Sequence, residues 1–235
     1  MSSRPTRRAF LRLAGATLAG AALTACAQSP AATTVAEPPV TNPDEALARL
    51  QEGNQRYVAL QATHPNQTGS RRSELAQSQK PFAIVFGCVD SRAAPELVFD
   101  RGLGDLFVIR TAGHVLDNAA LGSIEFGVAE LKIPLLLVLG HERCGAVSAS
   151  IESIEKHVEA PDQIAALVKG IAPAVEKAHG QAGDQVDNVV RANTELTVAQ
   201  LKATRILADA LSKGALKIVG GRYDLDTGMV EVIVP

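Results

Sequence analysis

Four short, nearly unbroken apolar runs constrain this chain more than any other feature. They are Pro81–Gly87, Leu106–Ile109, Leu135–Leu139 and Leu216–Val219. Runs of this length suit strands buried on both faces, as in a parallel sheet. Helical patterns fill the gaps between them, at about 94–101, 117–132 and 145–158. The alternation predicts an α/β domain with a mostly parallel central sheet flanked by helices. A longer helical stretch covers about 161–178 and then 185–213. In its second part Leu196, Val198, Leu201, Ile206, Leu207 and Leu211 form the apolar face. The tail from Tyr223 to Val234 reads as a hairpin or edge strand around Asp226-Thr227-Gly228. The polar stretch from about 159 to 186 reads as a surface insertion. There is no internal repeat and no sign of a second domain, so the folded unit is expected over 42–235.

That unit opens with an N-terminal helical arm. Asn42 can cap it, Pro43 suits its first turn, and Asp44 and Glu45 favour its positive end. Leu47, Leu50 and Tyr57 give it an apolar stripe, to be laid on its own core or on a partner subunit. Hydrophobic residues make up 46% and charged residues 20%, which allows a packed core. Net charge is −2, with no basic run beyond the N-terminus, so nothing favours nucleic acid as a partner. Nowhere do 18 apolar residues follow one another, which speaks against a permanent membrane-spanning helix.

Residues 1–25 read as an address. Thr6–Arg12 resembles a twin-arginine export signal, and a mildly apolar stretch, Leu13–Ala25, follows it. Leu23-Thr24-Ala25-Cys26 resembles a lipoprotein cleavage box, which implies a lipid on Cys26. The other reading is a plain signal peptide, with Cys26 incidental. Removing 1–25 takes away four arginines and no acids, which moves the net charge from −2 to −6. Residues 26–41, rich in Pro, Ala and Thr, then form a flexible tether. The chain is expected in the periplasm or on the outer surface of a bacterial membrane. Twin-arginine systems carry folded proteins, so a metal could be loaded before export.

Two clusters carry chemistry, each directly after a predicted buried strand. One is Gly87-Cys88-Val89-Asp90-Ser91-Arg92; the other is Gly140-His141-Glu142-Arg143-Cys144-Gly145. Ligands of open α/β sheets bind beyond the carboxyl ends of the strands. Two such ends bearing thiols and an imidazole would face one crevice. Zinc favours Cys sulfur and His nitrogen, and three protein ligands leave the open position of a catalytic site. Cys88, His141 and Cys144 supply three. A helix starting at Gly145 would favour the thiolates. Asp90 could hydrogen-bond a metal-held water, and Arg92 could hold Asp90 ionised. Each residue alone has a plainer reading: a core thiol, a structural histidine, a helix cap, a surface ion pair. Their joint occurrence at two strand ends favours a site.

Cys-x-Asp-x-Arg followed some fifty residues later by His-x-x-Cys resembles the pattern of the β-class carbonic anhydrases. The similarity runs from about Gly53 to Val147, then more weakly to Lys217–Gly221. The resemblance implies one zinc ion per chain on Cys88, His141 and Cys144, with Asp90 catalytic and Arg92 its dyad partner. In the closed form of some members the aspartate itself takes the fourth metal position. It also implies Gln79 as a substrate hydrogen-bond donor and Phe107 and Phe126 as pocket wall, although by chemistry alone both phenylalanines read as core. The implied reaction is hydration of carbon dioxide to bicarbonate, in a homodimer or higher even oligomer whose sites draw on both chains. His114 is a candidate proton shuttle, because an unperturbed imidazole titrates near neutrality. Rival readings are a CS2 or COS hydrolase of the same fold, a non-catalytic zinc lipoprotein, and a binding lipoprotein with a Cys88–Cys144 disulfide.

Overall fold

The computed structural model describes residues 39–235. The expected signal segment, Cys26 and most of the tether lie outside the described residues. The described part runs α1 (Pro43–Val58), α2 (Gly69–Leu75), β1 (Ala83–Cys88), α3 (Pro95–Val98), β2 (Leu106–Thr111), a 3-10 turn (Ala112–His114) and α4 (Asn118–Ala129). It continues with β3 (Leu135–His141), α5 (Gly145–Glu155), α6 (Ile164–Ala178), α7 (Gln185–Lys202), α8 (Arg205–Ser212), β4 (Lys217–Tyr223) and β5 (Val230–Val234).

The five strands lie in the order β2-β1-β3-β4-β5. The first four are parallel and β5 closes one edge antiparallel to β4, as the hairpin reading expects. From β1 the chain winds to β2 on one side, then returns to place β3 on the other. The winding therefore reverses between β1 and β3, and their carboxyl ends flank the crevice where such sheets bind ligands.

The apolar runs are unbroken because both sheet faces are covered. On one face Ala83, Val85, Leu135, Leu137 and Val219 pack with Ala46 and Leu50 of α1 and Val98 of α3. On the other Ile84, Phe86, Leu136, Val138 and Ile218 pack with Ile124 of α4, Val198 and Leu201 of α7 and Leu207 of α8. Each such side chain fully removed from water contributes about 1.5–3 kcal/mol before entropy is counted. The Asn42 side chain accepts the Asp44 N–H at 2.8 Å and starts α1 as its sequence predicts. The arm thus lies on its own chain's sheet. Asn54, also on α1, donates to the carbonyls of Val98 and Gly228 and accepts from Val230 N, tying the arm to the β4–β5 turn.

Three details depart from the sequence reading. Gly69–Leu75 is helical although it buries no residue, so it has no apolar period to betray it. The helix expected over 185–213 is two helices, α7 and α8. The 159–186 stretch is not a surface insertion: Ile171, Ala174, Val175 and Ala178 of α6 are buried in the same cluster as Cys88 and Cys144. Their spacing of three, one and three is that of a helix stripe; the polar segments on either side obscure it.

Candidate metal centre

Cys88 is the last residue of β1 and His141 the last of β3, and the parallel pairing of these strands opens both at one rim. Past His141 the chain must reverse within three residues to bring Cys144 back. Two features allow it. Glu142 N donates to Tyr223 O at 2.9 Å, which continues the β3–β4 ladder, and Arg143 takes a left-handed φ of 49°. Such a conformation in a non-glycine residue costs about 1–3 kcal/mol and persists where its surroundings enforce it. Here Arg143 is held by paired hydrogen bonds to Asp226 at 2.7 and 3.0 Å. Cys144 then stands at the N-cap of α5. Gly140 lets α7 approach the back of the loop, since a Cβ there would lie 2.6 Å from Thr194 Oγ1.

The ligand-bearing atoms of Cys88, His141 and Cys144 lie within 4.8 Å of one another, and all three residues are buried. The two sulfurs are 4.0 Å apart and unbonded. A disulfide needs about 2.05 Å. Two thiolates on one tetrahedral zinc, each at ~2.3 Å, would stand roughly 3.8 Å apart. The spacing therefore suits a shared metal and not a disulfide. His141 Nδ1 lies 2.9 Å from the Glu142 carbonyl, so Nδ1 carries the proton and Nε2 its lone pair. Nε2 is buried without a hydrogen-bond partner, an arrangement that is costly unless the atom ligates something. The donor set, two thiols and one imidazole, is chemically that of zinc.

Within the thiol pair, the hydrogen bond to Cys144 pulls the Cys88 thiol down and pushes the Cys144 thiol up, as one proton shared between two sulfurs requires. Asp90 lies at the mouth, its Oδ2 3.9 Å from His141 Nε2. Arg92 grips it through Nε to Oδ1 at 2.9 Å, Nη2 to Oδ2 at 2.7 Å, and its backbone N–H to Oδ1 at 2.9 Å. The Arg92 hydrogen bonds hold the Asp90 carboxyl far below the usual carboxylate range. This is the dyad arrangement. The closed form, with Asp90 as a fourth ligand, is not the one seen.

Arg110 escaped the sequence reading. From the end of β2 it donates to the carbonyls of Cys88 and Asp90, and so fixes the path between ligand and dyad. A charged residue closing an apolar strand was its only sequence signal.

The remaining candidates are not brought to this centre within one chain. Gln79 is exposed and precedes the opposite end of β1, roughly 17 Å away at ~3.3 Å per strand residue. Phe107 pairs with Ile84, also near that end, and packs on the sheet core. Phe126, on α4, is 50% exposed. His114 is 1% exposed, and burial pushes its pKa down to about 4. The shuttle reading is thereby corrected: a sealed, neutral imidazole cannot hand protons to buffer.

Residues 83–230 match a family model described as carbonic anhydrase. The chain is 44% identical over 195 residues to a protein of Mycolicibacterium smegmatis named carbonic anhydrase, covering 83% of this chain and 95% of that one. It is 44% identical over 191 residues to carbonic anhydrase 2 of Mycobacterium tuberculosis, covering 81% and 92%. Among solved structures it resembles the Coccomyxa β-carbonic anhydrase in complex with acetazolamide, with TM-score 0.63, 28% identity and coverage of 80% and 86%. A tetrameric β-carbonic anhydrase of Sordaria macrospora shares the fold, with TM-score 0.65, 19% identity and coverage of 80% and 97%.

Proposed function

The chain belongs to the carbonic anhydrase family, β class, and from that premise we propose that Cys88, His141 and Cys144 hold one zinc ion per chain, with Asp90 and Arg92 as the catalytic dyad. Its reaction is the reversible hydration of carbon dioxide to bicarbonate and a proton. The observation that carries the assignment of residues is the buried, partnerless Nε2 of His141 facing two unbonded thiols, with an ionised Asp90 at the mouth.

When bound, zinc supplies the Lewis acidity that makes water a nucleophile near neutral pH. The protein's part is to orient. Both Asp90 oxygens are engaged by Arg92, so the carboxylate cannot rotate. A carboxylate so fixed accepts a hydrogen bond from the reacting water at Oδ2 and sets which lone pair faces carbon dioxide. Val147 and Ile171, packed around the two thiols, keep bulk water from the back of the centre. This raises the strength of each electrostatic contact there.

Gln79, Phe107 and Phe126 act, on this reading, at the site of a second chain. Phe107 lies on β2, the sheet's edge strand, all of whose residues are partly exposed. An even oligomer formed over this face would bring the polar and apolar wall to a neighbour's metal. Cys26 carries lipid and tethers an exported enzyme; the support is the sequence of Thr6–Arg12 and of Leu23–Cys26. Mass spectrometry of the mature chain tests this: an unprocessed Met1 on the purified native protein would refute it.

The deciding experiment is stopped-flow carbon dioxide hydration on protein of measured zinc content. Zinc near one per chain with fast, acetazolamide-sensitive hydration is expected. Full zinc without hydration, at pH 7 and above pH 8, would overturn the roles given to Asp90 and Arg92.

A further inference from the structure

Asn193 sits in the middle of α7, 5% exposed, where a buried amide is poorly suited to a helix interior. Its contacts explain its presence. Asn193 Nδ2 donates to Gly113 O at 2.9 Å and lies 2.9 Å from His114 Nε2. One amide NH2 has two hydrogens, and these two acceptors use both. The opposite amide orientation would set its oxygen against the Gly113 carbonyl, so His114 Nε2 accepts and the proton falls on His114 Nδ1, which is buried and has no hydrogen-bond partner of its own. Gly113 in turn donates its N–H to Cys88 Sγ at 3.2 Å.

The segment has two bonds of its own, Val115 N to Ala112 O at 3.4 Å and Thr111 Oγ1 to Val115 O at 2.8 Å, but neither is made by Gly113 or His114. Gly113 and His114 are consecutive left-handed residues, with φ of 61° and 43°. A Cβ on Gly113 would lie 2.8 Å from Ile171 and 3.2 Å from Ala146, so the turn is wedged between α6 and α5. Thr194, next on α7, gives its hydroxyl hydrogen to Val190 O and stands 3.5 Å from His114 Nε2. Asn193 is the side chain that grips the turn at both its residues.

We propose that Asn193 is a positioning residue for the metal centre: by holding the Gly113–His114 turn, it keeps the Gly113 N–H on Cys88 Sγ. That N–H withdraws charge from the sulfur and fixes the direction in which it points. Partners behind a metal ligand tune both affinity and reactivity. The inference rests on Cys88 being a metal ligand.

The test compares Asn193→Ala and Asn193→Asp with wild type and with Leu201→Ala, which truncates the same helix in a different buried cluster, away from Cys88 and Cys144. Asn193→Asp keeps the shape and loses both donors. Three quantities are read: hydrogen exchange of the Gly113 amide in the metal-free chain, zinc affinity by chelator competition, and the sulfur-to-metal charge-transfer band of the cobalt form. Both Asn193 variants should lose Gly113 protection, weaken zinc by about 10–100-fold, and move the band to lower energy, since the sulfur regains charge. Leu201→Ala should be less stable yet leave the band in place. Unchanged band and affinity in a folded Asn193→Asp would overturn the proposal. So would rapid Gly113 exchange in the folded wild type, which needs no variant. Failure of the wild type to bind zinc would instead remove the reading of Cys88 beneath it.

Discussion

The two ends of the sheet make an instructive pair. At the carboxyl rim of β1 and β3, one chain by itself gathers two thiols, an imidazole and a locked Asp–Arg dyad. At the opposite end and along the β2 edge, Gln79, Phe107 and Phe126 lie apart from that rim, and one of the two phenylalanines is half exposed. The Cys88–His141–Cys144 cluster is gathered within a single chain, and on the reading proposed above the substrate wall belongs to a pair. Residues that must meet at one metal are confined by short spacings and strand ends. Residues that would serve a neighbour are free of that constraint and look like ordinary surface.

The largest expected effect lies on the first side. Cys144→Ser should lose more than roughly 100-fold in zinc affinity, beyond what loss of an outer partner costs. Elemental analysis decides it, and stoichiometric zinc in the variant would break the comparison. Asp90→Asn should keep its zinc and lose about 10²–10⁴ in kcat/KM; undiminished activity would remove Asp90 from the chemistry. On the second side, Gln79→Ala should keep full zinc and lose about 10²–10³ in kcat if it stabilises developing charge. The two sides can be set against each other directly. Chains bearing Gln79→Ala, co-assembled with chains bearing Cys144→Ser, place one intact site in each mixed dimer. Random pairing in a two-fold dimer should then restore roughly a quarter of wild-type activity. Activity no higher than that of the two variants measured separately would mean that each chain uses its own Gln79.

The smallest effect concerns stability. Asp100 is buried, with Arg56 at 2.6 Å and the N–H groups of Thr63 and His64 on its oxygens. Burial alone would push this carboxyl up; those hydrogen bonds outweigh it and bring its pKa down to about 2. Its folded value lies below its unfolded one. The stability it lends is therefore complete above about pH 4 and lost as pH falls towards 2, an effect of about 2 kcal/mol. Urea unfolding at pH 5 and pH 3 should show roughly half of that loss, about 1 kcal/mol, in wild type and a flatter response in Asp100→Asn. An equal slope in both would place the acid sensitivity elsewhere.

The fold was legible where periodicity and burial coincide. Strands covered on both faces must be apolar throughout, so four were readable from their apolar runs and the fifth from the turn around Asp226-Thr227-Gly228. The grouping of Cys88, His141 and Cys144 was legible because a metal would restrict residue type as well as spacing. Arg110, Asn193 and the Gly113 N–H were not, since each acts through a contact made by tertiary packing: Arg110 across one strand pair, Asn193 from a helix eighty residues away. The burial of α6 was available in the spacing of Ile171, Ala174, Val175 and Ala178, but the polar residues around it read as surface. The sealing of His114 was invisible, because nothing local distinguishes a buried histidine from an exposed one.

The loop that carries His141 and Cys144 is framed by β4 and the turn that follows it. Tyr223 receives the Glu142 N–H, Leu225 N donates to Glu142, and Asp226 grips Arg143. Leu225 and Asp226 each lie 83 residues beyond the partner they hold. A nascent chain already contains both cysteines and the histidine, yet lacks the hairpin that bends the loop around them. Closure of the loop therefore waits on β4 and the turn after it, and a chain cut short before β4 would carry Cys88, His141 and Cys144 without that frame.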